Sequence, residues 1–191
     1  MSIIQDKILI RRSSKIFIDN LLKDKQSWKI LDIGCGYNAH EAATVISDIQ
    51  DLSNYYKNKK FVKLTGNNLP FKDKEFDFVV CSHVIEHVKN VTLFIKELER
   101  ISSKGYIELP TILEDNLVFE NKKDHLWHME FDDDYNKLVI SKKVQFLEPV
   151  LTVSSAKKFL EYFRQSLVIE LLWENKIDFT IKENEINRYN K

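Results

Sequence analysis

Two kinds of apolar pattern alternate along the first 110 residues of the chain. Apolar residues spaced three to four positions apart predict amphipathic helices over 3–23 and 91–101. Short runs rich in apolar and β-branched residues are instead typical of strands; such runs lie at 30–33, 44–48, 60–64, 76–81 and 106–109. Strands that alternate with helices in this way predict an α/β fold, with a mostly parallel sheet covered by helices on both faces.

The last third of the chain predicts two hairpins and a further helix. The helix is expected over 154–165, where apolar residues share one face. The hairpins are expected where two apolar segments flank a short polar turn; the first joins 125–131 to 137–142, and the second joins 168–173 to 177–181. A chain of 191 residues can bury one core, so we expect a single domain over 1–191.

The composition of the chain indicates which binding partners and which cellular compartment to expect. The chain has 29 basic and 29 acidic residues, and its zero net charge argues against nucleic acid as a partner. No apolar run approaches the ~20 residues that span a bilayer, and the charges scattered through 1–15 argue against a signal peptide. Two cysteines do not predict a disulfide scaffold. We therefore expect a cytoplasmic protein with no membrane partner, and the sequence predicts no particular oligomeric state.

The segment Ile-Leu-Asp-Ile-Gly-Cys-Gly at 30–36 is the strongest candidate for a ligand-binding loop. It holds two of the four glycines in the chain, Gly34 and Gly36. Glycine lacks a Cβ atom, so a ligand can approach its backbone closely. A carboxylate, Asp48, follows Gly36 by twelve positions, at the end of a predicted strand. We therefore expect a ligand to lie over this loop.

The same spacing argues against a nicotinamide dehydrogenase. A dinucleotide-binding fingerprint has a third glycine, which would fall near Ala39, and an acidic residue about 20 positions after its glycines. This chain has no glycine near Ala39, and Asp48 comes too early. The shortened interval leaves room for only one helical turn, which we place over 40–43.

Several motifs between residues 30 and 110 resemble, in their order and their amino-acid sequence, those of the class I S-adenosylmethionine (SAM) dependent methyltransferases. The segment 30–36 resembles motif I of that family, and Leu69-Pro70-Phe71 followed by 76–88 (FDFVVCSHVIEHV) resembles the region of its fourth strand. The resemblance implies SAM as the cofactor and a Rossmann-like three-layer sandwich. It also implies a sheet ending in an antiparallel pair, here the second hairpin. The segment at about 111–150 is then an insertion that covers the substrate.

The resemblance also assigns the parts of SAM to residues around these motifs. Gly34 and Gly36 would let the cofactor lie against the first loop, Asp48 would accept the ribose hydroxyls, and Asp32 would orient the methionine ammonium. The family often has an acidic residue where this chain has Thr65, which leaves the adenine to the two residues that follow it. The full set assigned to the cofactor is Asp32, Gly34, Cys35, Gly36, Asp48, Ile49, Gly66, Asn67, Cys81 and Ser82.

A polar cluster in Ser-His-Val-Ile-Glu-His-Val raises the question of a metal ion. On a helix, His83, Glu86 and His87 would stand at i, i+3 and i+4 and share one face, as candidate ligands of a divalent cation. The pattern resembles a Glu-x-x-Glu-His run in metal-dependent O-methyltransferases, with His83 in place of the first Glu. A Glu-His pair is also widespread in relatives that hold no metal, where it braces the loop. A metal is therefore not favoured.

Three histidines are candidates for the base that removes the proton of a hydroxyl acceptor, because the pKa of histidine lies near neutral pH. His83 is nearest to the methyl group in the frame of the family. His125 and His128 belong to the insertion, and in a strand their spacing would place them on opposite faces, so at most one should enter the site. Trp127, between them, could stack on a ring or belong to the core.

The leading interpretation is a SAM-dependent methyltransferase that methylates a small molecule, at oxygen and on a sugar-like or other biosynthetic intermediate. The alternative is a non-catalytic SAM-binding subunit that supports a partner enzyme. Thr65 in place of an acid and the missing first Glu would fit partial decay of a site. A nucleic-acid methyltransferase is a third possibility, which the zero net charge disfavours.

Overall fold

The computed structural model describes residues 9–66 and 68–182. Its helices and strands are, in chain order, β1 (Ile10–Arg12), α1 (Lys15–Lys23), β2 (Ile30–Ile33), β3 (Val45–Asp48), β4 (Lys60–Lys63), β5 (Phe78–Ser82), α2 (Val91–Ile101), β6 (Lys104–Pro110), α3 (Ile112–Leu117), α4 (Phe119–Asp124), β7 (Trp127–Asp132), β8 (Lys137–Lys142), α5 (Val153–Leu167), β9 (Val168–Glu174) and β10 (Phe179–Lys182). A 3-10 turn at Ile85–His87 lies between β5 and α2. Within these two ranges, no helix combines the length and the apolar character that crossing a bilayer requires.

Seven strands form the main sheet, in the order β1-β9-β6-β5-β2-β3-β4. The neighbouring strands from β6 to β4 are parallel, whereas β9 is antiparallel to both β6 and β1. Every residue of β2 and β3 is buried, as expected of parallel strands that are covered on both faces. The predicted class is therefore confirmed: the fold is α/β, with a mostly parallel, Rossmann-like sheet.

Helices cover both faces of this sheet and make it the middle layer of three. On one face, α1 buries Ile18 and Leu22 against a cluster that includes Ile46 of β3. On the other face, α2 buries Ile95 and Leu98 in the larger core. Burying each such side chain is worth roughly 1.5–3 kcal/mol, so the two helices hold the sheet from opposite sides.

The predicted helix over 3–23 is wrong in its N-terminal part. Residues 3–8 lie outside the described residues, and Ile10–Arg12 forms strand β1 beside β9. The helix begins only after Ser14, whose side chain caps it by accepting a hydrogen bond from the N–H of Phe17. The strand forms because β9 offers a sheet edge to this segment, and no local pattern of apolar residues reveals that edge.

One of the two predicted hairpins forms. β7 and β8 pair antiparallel as predicted. The strand expected over 177–181 does not return beside β9; it forms β10, which pairs parallel with β8 in a separate three-stranded sheet. Both edges of β9 are occupied by β6 and β1, so no edge is left for β10. The antiparallel end of the main sheet is made by β9 and β1 instead.

Close packing at Gly105 of β6 generates a prediction about stability. A Cβ atom there would lie 2.5 Å from the carbonyl oxygen of Val79 and 2.6 Å from Nε1 of Trp173. Because the first of these atoms is backbone, we expect Gly105→Ala to lower the free energy of unfolding by about 1–3 kcal/mol in urea denaturation. Gly66→Ala is the matched control, since its Cβ would meet nothing within 4 Å. Equal urea midpoints for the two variants would contradict this account.

Candidate active site

A cleft of about 940 Å³ opens at the carboxyl ends of the parallel strands, where open α/β sheets bind ligands. One wall, which we call the β2–β4 side, includes Gly34, Asp48 and Thr65, each at or just after the carboxyl end of one of those strands. The other wall, the β5 side, includes His83 and His87, which follow β5, and Lys123, Asp124 and Leu126 at the end of α4 and just after it. Both walls belong to one continuous cavity.

A second cavity, of about 630 Å³, lies near the amino ends of β2 and β3, between α1 and the loop that follows β2. Lys15, Asp19, Trp28 and His40 are among its lining residues. His40 Nε2 lies 2.9 Å from the Asp19 carboxylate, and its Nδ1 accepts a hydrogen bond from the N–H of Ala42. Both nitrogens of this histidine are therefore engaged within the protein, and the cavity is remote from the strand ends that bind ligands.

The glycines of the first loop are required by its backbone. Gly34 and Gly36 have φ angles of +71° and +49°, in the left-handed region. A Cβ atom on Gly34 would lie 2.3 Å from Cγ2 of Val84, whereas one on Gly36 would meet nothing within 4 Å. Substitution of Gly34 would thus disturb the packing of Val84 as well as any ligand, and Gly36 has open space beside it.

Asp48 connects this loop to the cleft. Its Oδ2 accepts a hydrogen bond from the N–H of Gly36 and its Oδ1 one from the N–H of Gln50, both at 2.9 Å. A carboxylate has about four acceptor positions, so each oxygen can still accept a ligand hydroxyl. Since Asp48 also lines the cleft, it suits the two hydroxyls of the SAM ribose.

The loop between β2 and β3 contains no helix, but the single turn expected over 40–43 forms, with the N–H of Ala43 donating to the His40 carbonyl at 3.1 Å. Two side chains also satisfy its backbone. The Tyr56 hydroxyl donates to the Gly36 carbonyl at 2.9 Å and accepts from the Ala39 N–H at 3.0 Å. Lys59 Nζ donates to the carbonyls of residues 40, 41 and 43 at 3.1–3.2 Å. Sequence reasoning missed both residues because their partners are backbone atoms, which carry no sequence signal.

Asp32 lies behind the loop. Its Oδ2 accepts a hydrogen bond of 2.7 Å from the N–H of His40, and the residue is not among those that line the cleft. Burial raises the pKa of the Asp32 carboxyl to about 6, although the His40 N–H and nearby cations oppose this. The structure therefore places Asp32 as a support of the loop, and its contact with the methionine ammonium stays a prediction.

Of the other residues assigned to the cofactor, some line the cleft and some lie behind its wall. Ile49 and Gly66 line the cleft, together with the apolar side chains of Leu64, Leu69 and Phe94. Cys35 and Cys81 are buried in the core, and the Ser82 hydroxyl donates to Glu108, so these three lie behind the wall. Asn67 lies outside the described residues. An apolar surface beside a ribose acceptor fits SAM, whose adenosine needs both.

The predicted helix that would align His83 with Glu86 and His87 is wrong. Only residues 85–87 form a 3-10 turn, and His83 has a left-handed φ of +53°. Its ring lies between two carboxylates, with Nδ1 at 3.3 Å from Glu86 and Nε2 at 3.4 Å from Glu108. Burial lowers the pKa of His83, but its contacts with Glu108 and Glu86 outweigh burial and raise the pKa to about 10. His83 is therefore an imidazolium at neutral pH.

Glu108, which contacts His83, is itself held by a buried network of hydrogen bonds. Its Oε2 accepts hydrogen bonds from the Tyr106 hydroxyl at 2.7 Å and from the Arg164 guanidinium, which also binds Glu170. Burial raises the pKa of Glu108, but His83 and Arg164 outweigh it and lower the pKa to about 2. The network thus holds a carboxylate under the β5 side of the cleft.

His125 and His128 bind the same carboxylate, that of Asp115. The expected separation onto opposite faces of a strand is wrong, because His125 precedes β7 and does not follow its alternation. Both ring nitrogens of His128 are engaged, Nδ1 with Asp115 at 3.1 Å and Nε2 with the backbone of Val144. Burial raises the pKa of Asp115, but the two histidines outweigh it and lower the pKa. Trp127 is buried and donates to the Val88 carbonyl, so it belongs to the core.

Comparison with known proteins relates the chain to methyltransferases. Residues 31–107 match a family model described as a methyltransferase domain. An uncharacterized protein of Methanocaldococcus jannaschii is 30% identical over 181 residues, which cover 84% of this chain and 80% of that protein. The ubiquinone biosynthesis O-methyltransferase of Rickettsia bellii is 32% identical over 106 residues, covering 47% of this chain and 44% of that enzyme. The PH0226 protein of Pyrococcus horikoshii has a similar structure, with 18% identity, a TM-score of 0.49, and coverage of 83% of this chain and 88% of that chain.

The position of Asp48 generates a prediction about the cofactor. We expect Asp48→Ala to weaken S-adenosylhomocysteine at least about 10-fold in calorimetric titration, because it removes a hydrogen-bonded carboxylate worth about 1.5–3 kcal/mol. Asp51→Ala is the matched control: among the described residues this exposed carboxylate accepts hydrogen bonds from Ser53 alone, and it does not line the cleft. An Asp48 variant that binds as tightly as the Asp51 variant would contradict the ribose assignment.

Proposed function

The chain belongs to the class I SAM-dependent methyltransferases, with SAM as its cofactor, and we propose that it methylates an oxygen atom of a small, sugar-like or other biosynthetic intermediate. One observation carries the proposal. The β2–β4 side, which suits SAM, and the β5 side, which carries His83 and His87, line a single cavity of about 940 Å³. A methyl donor and an acceptor can therefore meet in one space.

The size of the cavity supports a small acceptor. Ligand sites typically measure about 300–1,000 Å³, so this cleft is at the upper end of the range for one ligand. A cavity that must also hold the cofactor leaves room for only a small second molecule. The balanced charge of the chain gives no support to a polyanionic acceptor.

Two observations support oxygen as the methylated atom. The β5 side offers polar groups to an acceptor, namely His83, His87 and Lys89, among apolar side chains such as Val84 and Val88. The relative from Rickettsia bellii is named as an O-methyltransferase, although the chain spans 44% of its length. The identity of the acceptor itself is not carried over from that enzyme.

The chain's own contribution to the reaction is mainly positioning. The sulfonium of bound SAM supplies the leaving group, and holding donor and acceptor in line removes much of the entropic cost of their encounter. His83 is the one predicted base that lines the cleft, but carboxylates face both of its nitrogens. We therefore propose that its positive charge stabilises the oxyanion formed as the acceptor hydroxyl gives its proton to solvent water in the cleft. His125 and His128 do not line the cleft, so their role as bases has no geometric support.

A screen for SAM consumption tests the function. The chain, incubated with SAM and a panel of nucleotide sugars and other small hydroxyl compounds, should release S-adenosylhomocysteine with at least one of them. Binding of S-adenosylhomocysteine without turnover on any acceptor would instead support the alternative, a non-catalytic SAM-binding subunit. Methylation confined to an amine acceptor would contradict the proposal that oxygen is the acceptor atom.

The charge on His83 generates a kinetic prediction. With the acceptor from the screen, His83→Gln should lower kcat by about 10²-fold, the effect of removing one stabiliser of an oxyanion, and should leave the affinity for S-adenosylhomocysteine unchanged. His128→Ala serves as the comparison, since we expect it to lower the free energy of unfolding more than it lowers kcat. A larger loss of kcat in His128→Ala than in His83→Gln would favour His128 as the base.

A further inference from the structure

Side chains with metal-binding chemistry converge beside the β5 side of the cleft. Glu86 and His87 belong to the 3-10 turn after β5, and His125 belongs to the insertion. One donor atom from each of the three lies within 4.8 Å of the other two. The group differs from the one that helical spacing predicted, because His125 takes the place of His83.

Glu86 has an unusual environment for a carboxylate. Its side chain is completely buried, and neither of its oxygens accepts a hydrogen bond from the described residues. The His83 ring, 3.3 Å from Oε1, is its nearest charged neighbour. The positive charge of His83 offsets part of the cost of burying this carboxylate, and a coordinated cation would offset more of it.

The two histidines are held in the form that binds metals. His87 Nδ1 lies 2.9 Å from the carbonyl oxygen of Asp124, and His125 Nδ1 binds the carboxylate of Asp115. Oxygens of this kind only accept hydrogen bonds, so each Nδ1 donates its N–H, and Nε2 is the nitrogen left to coordinate a metal. This arrangement, in which an oxygen acceptor fixes the far nitrogen, is typical of histidines that coordinate a metal.

Hydrogen bonds join the turn after β5 to the segment that contains His125, and they require no metal ion. The Leu126 N–H donates to the Glu86 carbonyl at 2.8 Å, and the Trp127 indole N–H donates to the Val88 carbonyl at 2.8 Å. The His87 and His125 rings meet edge to face, with centroids 4.5 Å apart. Ligands at tetrahedral positions around zinc lie about 3.4 Å apart, so donor atoms within 4.8 Å of one another need to approach by at most about 1.4 Å.

From this geometry we propose that Glu86, His87 and His125 bind one divalent transition-metal ion, Zn²⁺ by preference over Mg²⁺. Two imidazoles and one carboxylate are the ligand set that zinc accepts, whereas Mg²⁺ requires oxygen ligands in an octahedron. His83 is not a ligand, because carboxylates face both of its nitrogens. Since His87 lines the cleft, a fourth position on the metal is open to an oxygen of the acceptor.

Calorimetric titration of the untagged, EDTA-treated chain with Zn²⁺ alone tests the proposal, and the visible spectrum of the Co²⁺ form reports the geometry without any turnover. We expect one Zn²⁺ per chain, a Co²⁺ spectrum of low coordination number, and no displacement of Zn²⁺ by millimolar Mg²⁺. The buried cysteines Cys35 and Cys81 should not contribute a thiolate band. No stoichiometric binding, or equal competition by Mg²⁺, would overturn the proposal.

Three variants identify the ligands. His87→Ala and His125→Ala should each weaken Zn²⁺ at least about 10²-fold, beyond the effect of losing a residue that only supports a ligand, while the matched His83→Asn stays near the parent. His87 is exposed and leaves the Asp115 contacts intact, so its variant decides the question if His125→Ala fails to fold. A loss of affinity in His83→Asn with none in His87→Ala would overturn the assignment.

Discussion

Tyr56 and Lys59 hydrogen-bond the backbone of the loop between β2 and β3, which in longer doubly wound folds is continued by a helix. Buried backbone groups must find partners, and without a helix the partners here are side chains from the segment before β4. Asp32 and Asp48 complete the set from the strands themselves. The position of the first loop, and with it the β2–β4 side of the cleft, depends on these bonds.

The positions of the parallel strands along the chain could be predicted from the sequence because each strand is a short local run of apolar residues. The buried runs that became β2 and β5 and the helical spacing of α2 needed no knowledge of distant residues. β1 and β10 could not be predicted in the same way. Their conformation is decided by which sheet edges are vacant, a property of the assembled fold, and β9 had no vacant edge for β10.

In the candidate site too, some residues could be predicted from the local sequence and others could not. Asp48 was found from its chemistry and its place at a strand end, and the structure puts it in the cleft. The neighbours that set the state of His83 and His125 were not found: Glu108 and Asp115 are distant in sequence or belong to another element. Helical spacing suggested His83 as a partner of His87, but the left-handed backbone at His83 turns its ring toward Glu108.

The two outer strands of the main sheet bear on how copies of the chain meet in solution. An exposed, long and flat strand edge invites pairing with another molecule, and native sheets avoid this with short strands and lysines. β1 has three residues, and Arg12 at its end is bound to Asp133 in the turn between β7 and β8. β4 has four residues, with Lys60 and Lys63 at its two ends. Edge-to-edge association of sheets is therefore disfavoured at both sides of the molecule, and crowding should promote aggregation through this sheet only after β1 or β4 has detached.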